Sequence, residues 1–70
     1  MSAGHHVISG YRGEWRVRNT GAARAARVFT SREDAIAFAR ELARREGGEV
    51  FVHNEDGTVR DHRTYERRAG

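Results

Sequence analysis

Seventy residues without a cysteine, carrying a formal charge of +3, make one domain with no disulfide or thiolate zinc site to staple it. A core this small supplies only about 3–5 kcal/mol on its own, which leaves oligomerisation as the remaining staple. A hydrophobic fraction of 37% beside charges of mixed sign excludes a disordered chain, no apolar run reaches membrane-span length, and the start MSAGHHVISG lacks a signal peptide's apolar stretch, so a cytoplasmic protein is expected.

Along the chain, His5–Ser9 (HHVIS) is short, β-branched in its middle and closed by Gly10, which predicts a first strand. Glu14–Asn19 (EWRVRN) alternates Trp15 and Val17 with Arg16 and Arg18, the period of a half-buried strand. Asn19-Thr20-Gly21 punctuates it as a turn. Ala25–Phe29 (AARVF) reads as a third strand, weakened by its alanines. Thr30 then stands as an N-cap with Glu33 three residues on, a capping box. Ala35, Phe38, Ala39, Leu42 and Ala43 recur at helical spacing, with Ile36 widening the stripe. Glu33 and Asp34 in the first turn and Arg44 and Arg45 in the last suit the helix dipole, and Gly47-Gly48 stops the helix. Glu49–His53 (EVFVH) is a strong strand, and Asn54-Glu55-Asp56-Gly57 a hairpin turn. Thr58–Arg60 begins the return strand, and the polar tail DHRTYERRAG is expected to fray after Tyr65.

The expected fold is α+β: a two-layer β-β-β-α-β-β domain over residues 1–70, an antiparallel sheet with one helix packed on one face. Trp15, Val17, Phe38, Leu42, Val50 and Val52 should form its core. Val50-Phe51-Val52 and Val7-Ile8 are apolar on both faces, the mark of strands buried on both sides. One helix covers one face only. A second copy is the simplest cover for the other, which predicts a homodimer or higher homo-oligomer with Ile8 and Phe51 at the interface. The alternative is that both are scattered surface apolar residues, which are normal.

The strand Trp15-Arg16-Val17, then Phe29, Thr30 and Ala35-Ile36, and finally the hairpin Asp56-Gly57-Thr58-Val59, carry a resemblance over nearly the whole chain. The sequence resembles a bacterial family known as domain of unknown function 2188. The proline that often follows that family's first strand is absent here, since the chain has no proline. The resemblance implies the fold and brings no activity and no functional residues. A second likeness covers the first two thirds: Tyr11-Arg12-Gly13, Trp15 through Arg18, Phe29-Thr30 and Glu33-Asp34-Ala35 resemble the DNA-binding domain of plant ethylene-response factors. That likeness implies a sheet laid in the major groove, with Arg12, Arg16 and Arg18 as contact candidates. The spacing from second strand to helix departs from that family, and Trp15 is assigned here to the core.

All thirteen basic residues are arginine. Genomic codon bias is the plainer explanation, and selection for bidentate phosphate or base contacts the functional one. The residues through Arg27 carry five arginines against Glu14 alone, whereas Val28 to Gly70 carries eight against nine acids. Arg12, Arg16, Arg18, Arg24 and Arg27 are therefore the candidate nucleic-acid-binding residues. If Trp15 and Val17 face the helix, Arg16 and Arg18 share the opposite face, with Arg27 joining from the next strand. Such a basic stripe is the electrostatic footprint of nucleic-acid binding; the plainer reading is a solvated face.

Nothing points to catalysis. Glu55 and Asp56 are explained by their turn. His5 and His6 point to opposite faces of a strand and do not share a metal. His53 and His62 approach across the last hairpin without a carboxylate or cysteine in register. Phosphate loops, nucleophile motifs and zinc motifs are lacking. No catalytic residue, metal or cofactor is expected. The expected function is a small non-enzymatic oligomeric accessory or protein-interaction module, with nucleic-acid binding through the first hairpin as the alternative.

Overall fold

Period-two alternation sorts the strands into two faces. In the computed structural model, which describes residues 4–20 and 27–66, the chain runs β1 (Gly4–Ser9), a 3-10 turn (Tyr11–Gly13), β2 (Trp15–Asn19), β3 (Arg27–Phe29), α1 (Arg32–Glu46), β4 (Gly48–His53) and β5 (Val59–Tyr65). The architecture is α+β, five strands and one helix, and the short 3-10 turn is an element that the sequence pattern did not announce. Val7, Val17, Val50 and Val52 are at most 4% exposed. They sit in register across three strands, Val7 opposite Val17 on β2 and Val52 on β4.

The strand order is β3-β2-β1-β4-β5. β1 and β4 pair in parallel, and the other three pairs are antiparallel. The sheet is thus mixed, which corrects the expected all-antiparallel one. The reason lies in the connection. β1, β2 and β3 alternate in direction, and α1, about 22 Å long, carries the chain back before β4 begins. β4 then runs the same way as β3 and β1. It pairs with β1, so the first strand of the chain becomes the central one.

The helix caps one residue later than expected. Ser31, not Thr30, accepts the hydrogen bond from the Asp34 amide, at 3.4 Å. Two overlapping frames exist, Thr30 with Glu33 and Ser31 with Asp34, and both satisfy the capping pattern. The buried stripe is Ala35, Ala39 and Ala43, with Ile36 and Phe38 packed at its flanks. Phe38 meets Phe29 at 5.4 Å between ring centroids. Leu42 is half-buried, so the expected placement of Phe38 and Leu42 at the core's centre gives way to the alanine row. Alanines there let the helix backbone approach the valines closely. Gly47, at φ 77°, closes the helix, its N–H donating a hydrogen bond to the Ala43 carbonyl at 2.7 Å. The β4–β5 turn is held by Asp56, whose Oδ1 accepts from the Thr58 amide at 3.0 Å and from its hydroxyl at 2.6 Å.

The two sides of the helix should respond differently to substitution. Ala39→Leu overfills a closed contact and should cost about 1–3 kcal/mol, whereas Leu42→Ala should fall below the ~2 kcal/mol typical of fully buried leucines. Urea denaturation of both variants measures this. The reverse ranking would mean that the helix presents a different face to the sheet.

Candidate functional site

α1 packs on one side of the sheet, so the residues alternate to the core form a second face. Its middle row is set by register: Arg18 of β2 lies opposite His6 of β1, His6 beside Phe51 of β4, and Phe51 opposite His62 of β5. Ile8 stands opposite Arg16, which stands opposite Val28. Ile8 and Phe51 are half-buried, and no described element covers them. Val28 is 48% exposed.

The rings of the middle row stack on one another. His6 lies 4.8 Å from Phe51 with 10° between planes, and Phe51 lies 4.3 Å from His62 with 8°. Both faces of Phe51 are therefore occupied by neighbours, and the row turns its edges outward. His62 also reaches Glu49 on β4, with Nε2 3.3 Å from Oε1.

One hydrogen-bonded chain crosses this face, and its protons can be assigned. The Gly57 carbonyl only accepts, so His53 Nδ1 donates to it at 3.1 Å. Neutral His53 then accepts at Nε2 from His6 Nδ1, at 3.0 Å. Neutral His6 in turn accepts at Nε2 from the Thr20 hydroxyl at 2.9 Å, the shorter of that hydroxyl's two contacts, the other being the Gly4 carbonyl at 3.5 Å. Every ring nitrogen is satisfied while both histidines are neutral. Burial, and then the neighbouring His53 and His5, lower the His6 pKa from its ordinary value.

The candidate arginines are only partly brought together. Arg16 and Arg18 share the uncovered face, and Arg16 lies 3.9 Å from Glu14. The Nε atoms of both are buried without a partner. Arg12 sits on the 3-10 turn with a left-handed φ of 58°, its guanidinium 5.3 Å from the Tyr11 ring. Arg27 pairs with Val17 and so belongs to the helix side. Its guanidinium lies 5.3 Å from the Phe29 ring and 5.6 Å from that of Phe38. Arg24 lies outside the described residues. The expected grouping of Arg27 with Arg16 and Arg18 is thus not what the structure places there.

The histidine row escaped the sequence reading. Alternation separates His6 from His5, whose buried ring bonds Asn19 at 2.8 Å on the helix side. Alternation does not tell which strand lies beside β1, and the His6 contacts with Phe51 and His53 all follow from the parallel β1–β4 pair. His53 accordingly meets His6, and His62 stacks on Phe51, instead of the two approaching each other. Among the described residues no group of three or more histidine or acidic side chains has metal-holding geometry, and no helix is long and apolar enough to cross a membrane.

Residues 5–65, from β1 to the end of β5, match the family described as "Uncharacterized protein conserved in bacteria (DUF2188)". The chain belongs to this family. It is 39% identical over 59 residues to the uncharacterized protein YdaT of Bacillus subtilis (strain 168), a match covering 84% of this chain and 39% of that relative. The chain therefore spans well under half the length of the relative. No solved structure matches it. In DUF2188 terms, the matched segment is the whole sheet with its helix, so both faces described above lie inside the family's own boundaries.

The lowered His6 pKa fixes the sign of a pH effect. The unfolded chain takes up a proton near 6.5 and the folded chain only at lower pH. The stabilisation is present above about pH 6.5 and is lost as pH falls through that value toward the folded pKa. The melting temperature should drop between pH 7.5 and 5.5, and His6→Asn should flatten the profile. Parallel profiles for wild type and variant would remove His6 as the cause.

Proposed function

We propose that the protein is a non-catalytic interaction module that associates with a second copy of itself through the uncovered sheet face, with Ile8 and Phe51 at the contact. One observation carries this reading: β1, the central strand, and its neighbour β4 hold half-buried Ile8 and Phe51 on the side opposite the helix. Central strands with apolar residues on both sides are characteristic of sheets covered twice. The stacked rings support it further, because a row of ring edges makes a flat surface. Charge is also distributed usefully. Arg16 and Arg18 lie on the β2 side of the seam and Glu49 on the β4 side. A two-fold axis along that seam sets the arginine side of one copy over the Glu49 side of the other.

Sedimentation equilibrium at micromolar concentration should report a dimer or larger species. Phe51→Glu should shift it to monomer by placing an unpaired charge in the contact, with the circular dichroism spectrum unchanged. A monomer mass at the highest soluble concentration would end this reading.

A second reading, nucleic-acid binding, is favoured by the side-by-side placement of Arg16 and Arg18 on the open face, with Glu14 as the acid near Arg16. Two phosphate contacts give a slope of log affinity against log salt of about −1.8 on B-DNA. Bases do not stack on Phe51 in this reading, since both its faces are taken. Fluorescence anisotropy of a labelled duplex across a salt series should show that shallow slope, abolished by Arg16→Glu with Arg18→Glu. Absence of binding at low salt would exclude it.

A further inference from the structure

The helix makes its main contacts with β1, β2, β3 and β4 and packs less closely on β5. A cleft of about 410 Å³ lies there. Arg32, Ile36 and Arg40 line it from one stripe of α1, Val52 from β4, and Arg60 and Asp61 from β5. Half-buried Ile36 and buried Val52 form an apolar floor. Three arginines line the cleft around that floor. None takes part in an ion pair among the described residues, where the pairs are Arg16 with Glu14, Arg44 with Glu41 and His62 with Glu49.

Two features bear on the arginines of this cleft. Val52 pairs with Asp61 while His53 pairs with Val59, so Arg60 is the extra residue of a β-bulge. Strict alternation would send Arg60 and Asp61 to opposite faces; the bulge lets both line the same cleft, the re-aiming of a side chain for which bulges are used. The Arg32 guanidinium lies 5.6 Å from the Trp15 ring of β2, which leaves Arg40 and Arg60 as the two arginines nearer the β5 side. The cleft is therefore a cationic rim over an apolar base, on the opposite side of the sheet from Ile8 and Phe51.

We propose that this cleft binds a small organic monoanion, a carboxylate or sulfonate joined to an apolar body. Guanidinium pairs hold such oxyanions in charge-assisted, bidentate fashion, with the acid head on Arg40 and Arg60 and the apolar body on Ile36 and Val52. The volume lies within the range of about 300–1,000 Å³ usual for small-ligand sites. Glu33 and Asp61 also line the cleft. With three arginines against two acids the net charge is only +1, which favours a single anionic head and disfavours a polyanion. This site is independent of self-association.

The test is a fluorescence titration of the full chain at low salt with 8-anilinonaphthalene-1-sulfonate, a monoanion with an aromatic body. Saturable binding is expected, weakened about tenfold or more by Arg40→Ala and by Arg60→Ala, the loss typical of one charge-assisted hydrogen bond. Phe51→Glu, on the other face, should leave it unchanged, and circular dichroism confirms that each variant is folded. Benzoate should displace the probe at concentrations where acetate does not, because acetate lacks the apolar body. Absence of saturable binding, arginine variants that bind like wild type, or loss of binding in Phe51→Glu each overturns the assignment.

Discussion

The pairing of β1 with β4 is the contact on which the other features depend. It joins the start of the chain to its last third, through Gly4 opposite Glu49, His5 opposite Val50, His6 opposite Phe51 and Val7 opposite Val52. Without it the β1–β2–β3 segment and the β4–β5 hairpin would be separate small sheets, neither with a complete apolar face. With it, Val7 gains valines on both sides and closes the core. The same four pairings bring His6 against Phe51 on the other face. Core and candidate interface are thus two sides of one set of backbone hydrogen bonds, and a substitution that loosens the pair must disturb both.

The core itself is built from small side chains. Three alanines of α1 face four valines, with Trp15 and the His5 imidazole as the buried rings among the described residues. Close approach of helix and sheet makes such a core tight, but it buries little area per residue, and burial contributes only about 25 cal/mol per Å². Phe29, Phe38 and Tyr65 stand at its margin, half-exposed. A chain of this length is short of stabilisation from its own interior, which is the physical reason to look to the uncovered face for more. The narrow helix footprint has a second consequence. Its main contacts are with β1 through β4, and the space beside β5 becomes the arginine-lined cleft.

Much of this was legible in the sequence. The alternation in EWRVRN places Trp15 and Val17 inside and Arg16 and Arg18 outside, the stripe from Ala35 to Ala43 marks the helix, and Asp56-Gly57 marks the hairpin. Three things were not legible, each for a local reason. Thr30 and Ser31 offer two equivalent capping frames, and only tertiary packing selects between them. Strand direction depends on where α1 returns the chain, which alternation does not encode; from that one uncertainty followed the missed His6 contacts. Arg27 and Arg60 were hidden by register. Arg27 falls on the helix side because it pairs with Val17, and Arg60 joins Asp61 because of a bulge that leaves no mark in the residue types.

The polar content of the uncovered face looks at first unfavourable for burial against a second chain, since buried polar groups must be hydrogen-bonded. The geometry removes most of that difficulty. Thr20, His6, His53 and the Gly57 carbonyl satisfy one another within the plane of the face, and His62 is met by Glu49. Covering the Thr20–His6–His53–Gly57 chain would orphan none of its members. The exceptions are the Nε atoms of Arg16 and Arg18, already buried without acceptors. Leaving buried donors unmet costs about 1–3 kcal/mol each, so a surface that covered this face well would have to bring acceptors to the β2 side. A two-fold copy brings Glu49 to that side, and a carboxylate has lone pairs to spare beyond its contact with His62. In the self-association proposed above, the unmet donors would meet Glu49 of the second copy, whereas a purely apolar partner would leave both Nε atoms unsatisfied.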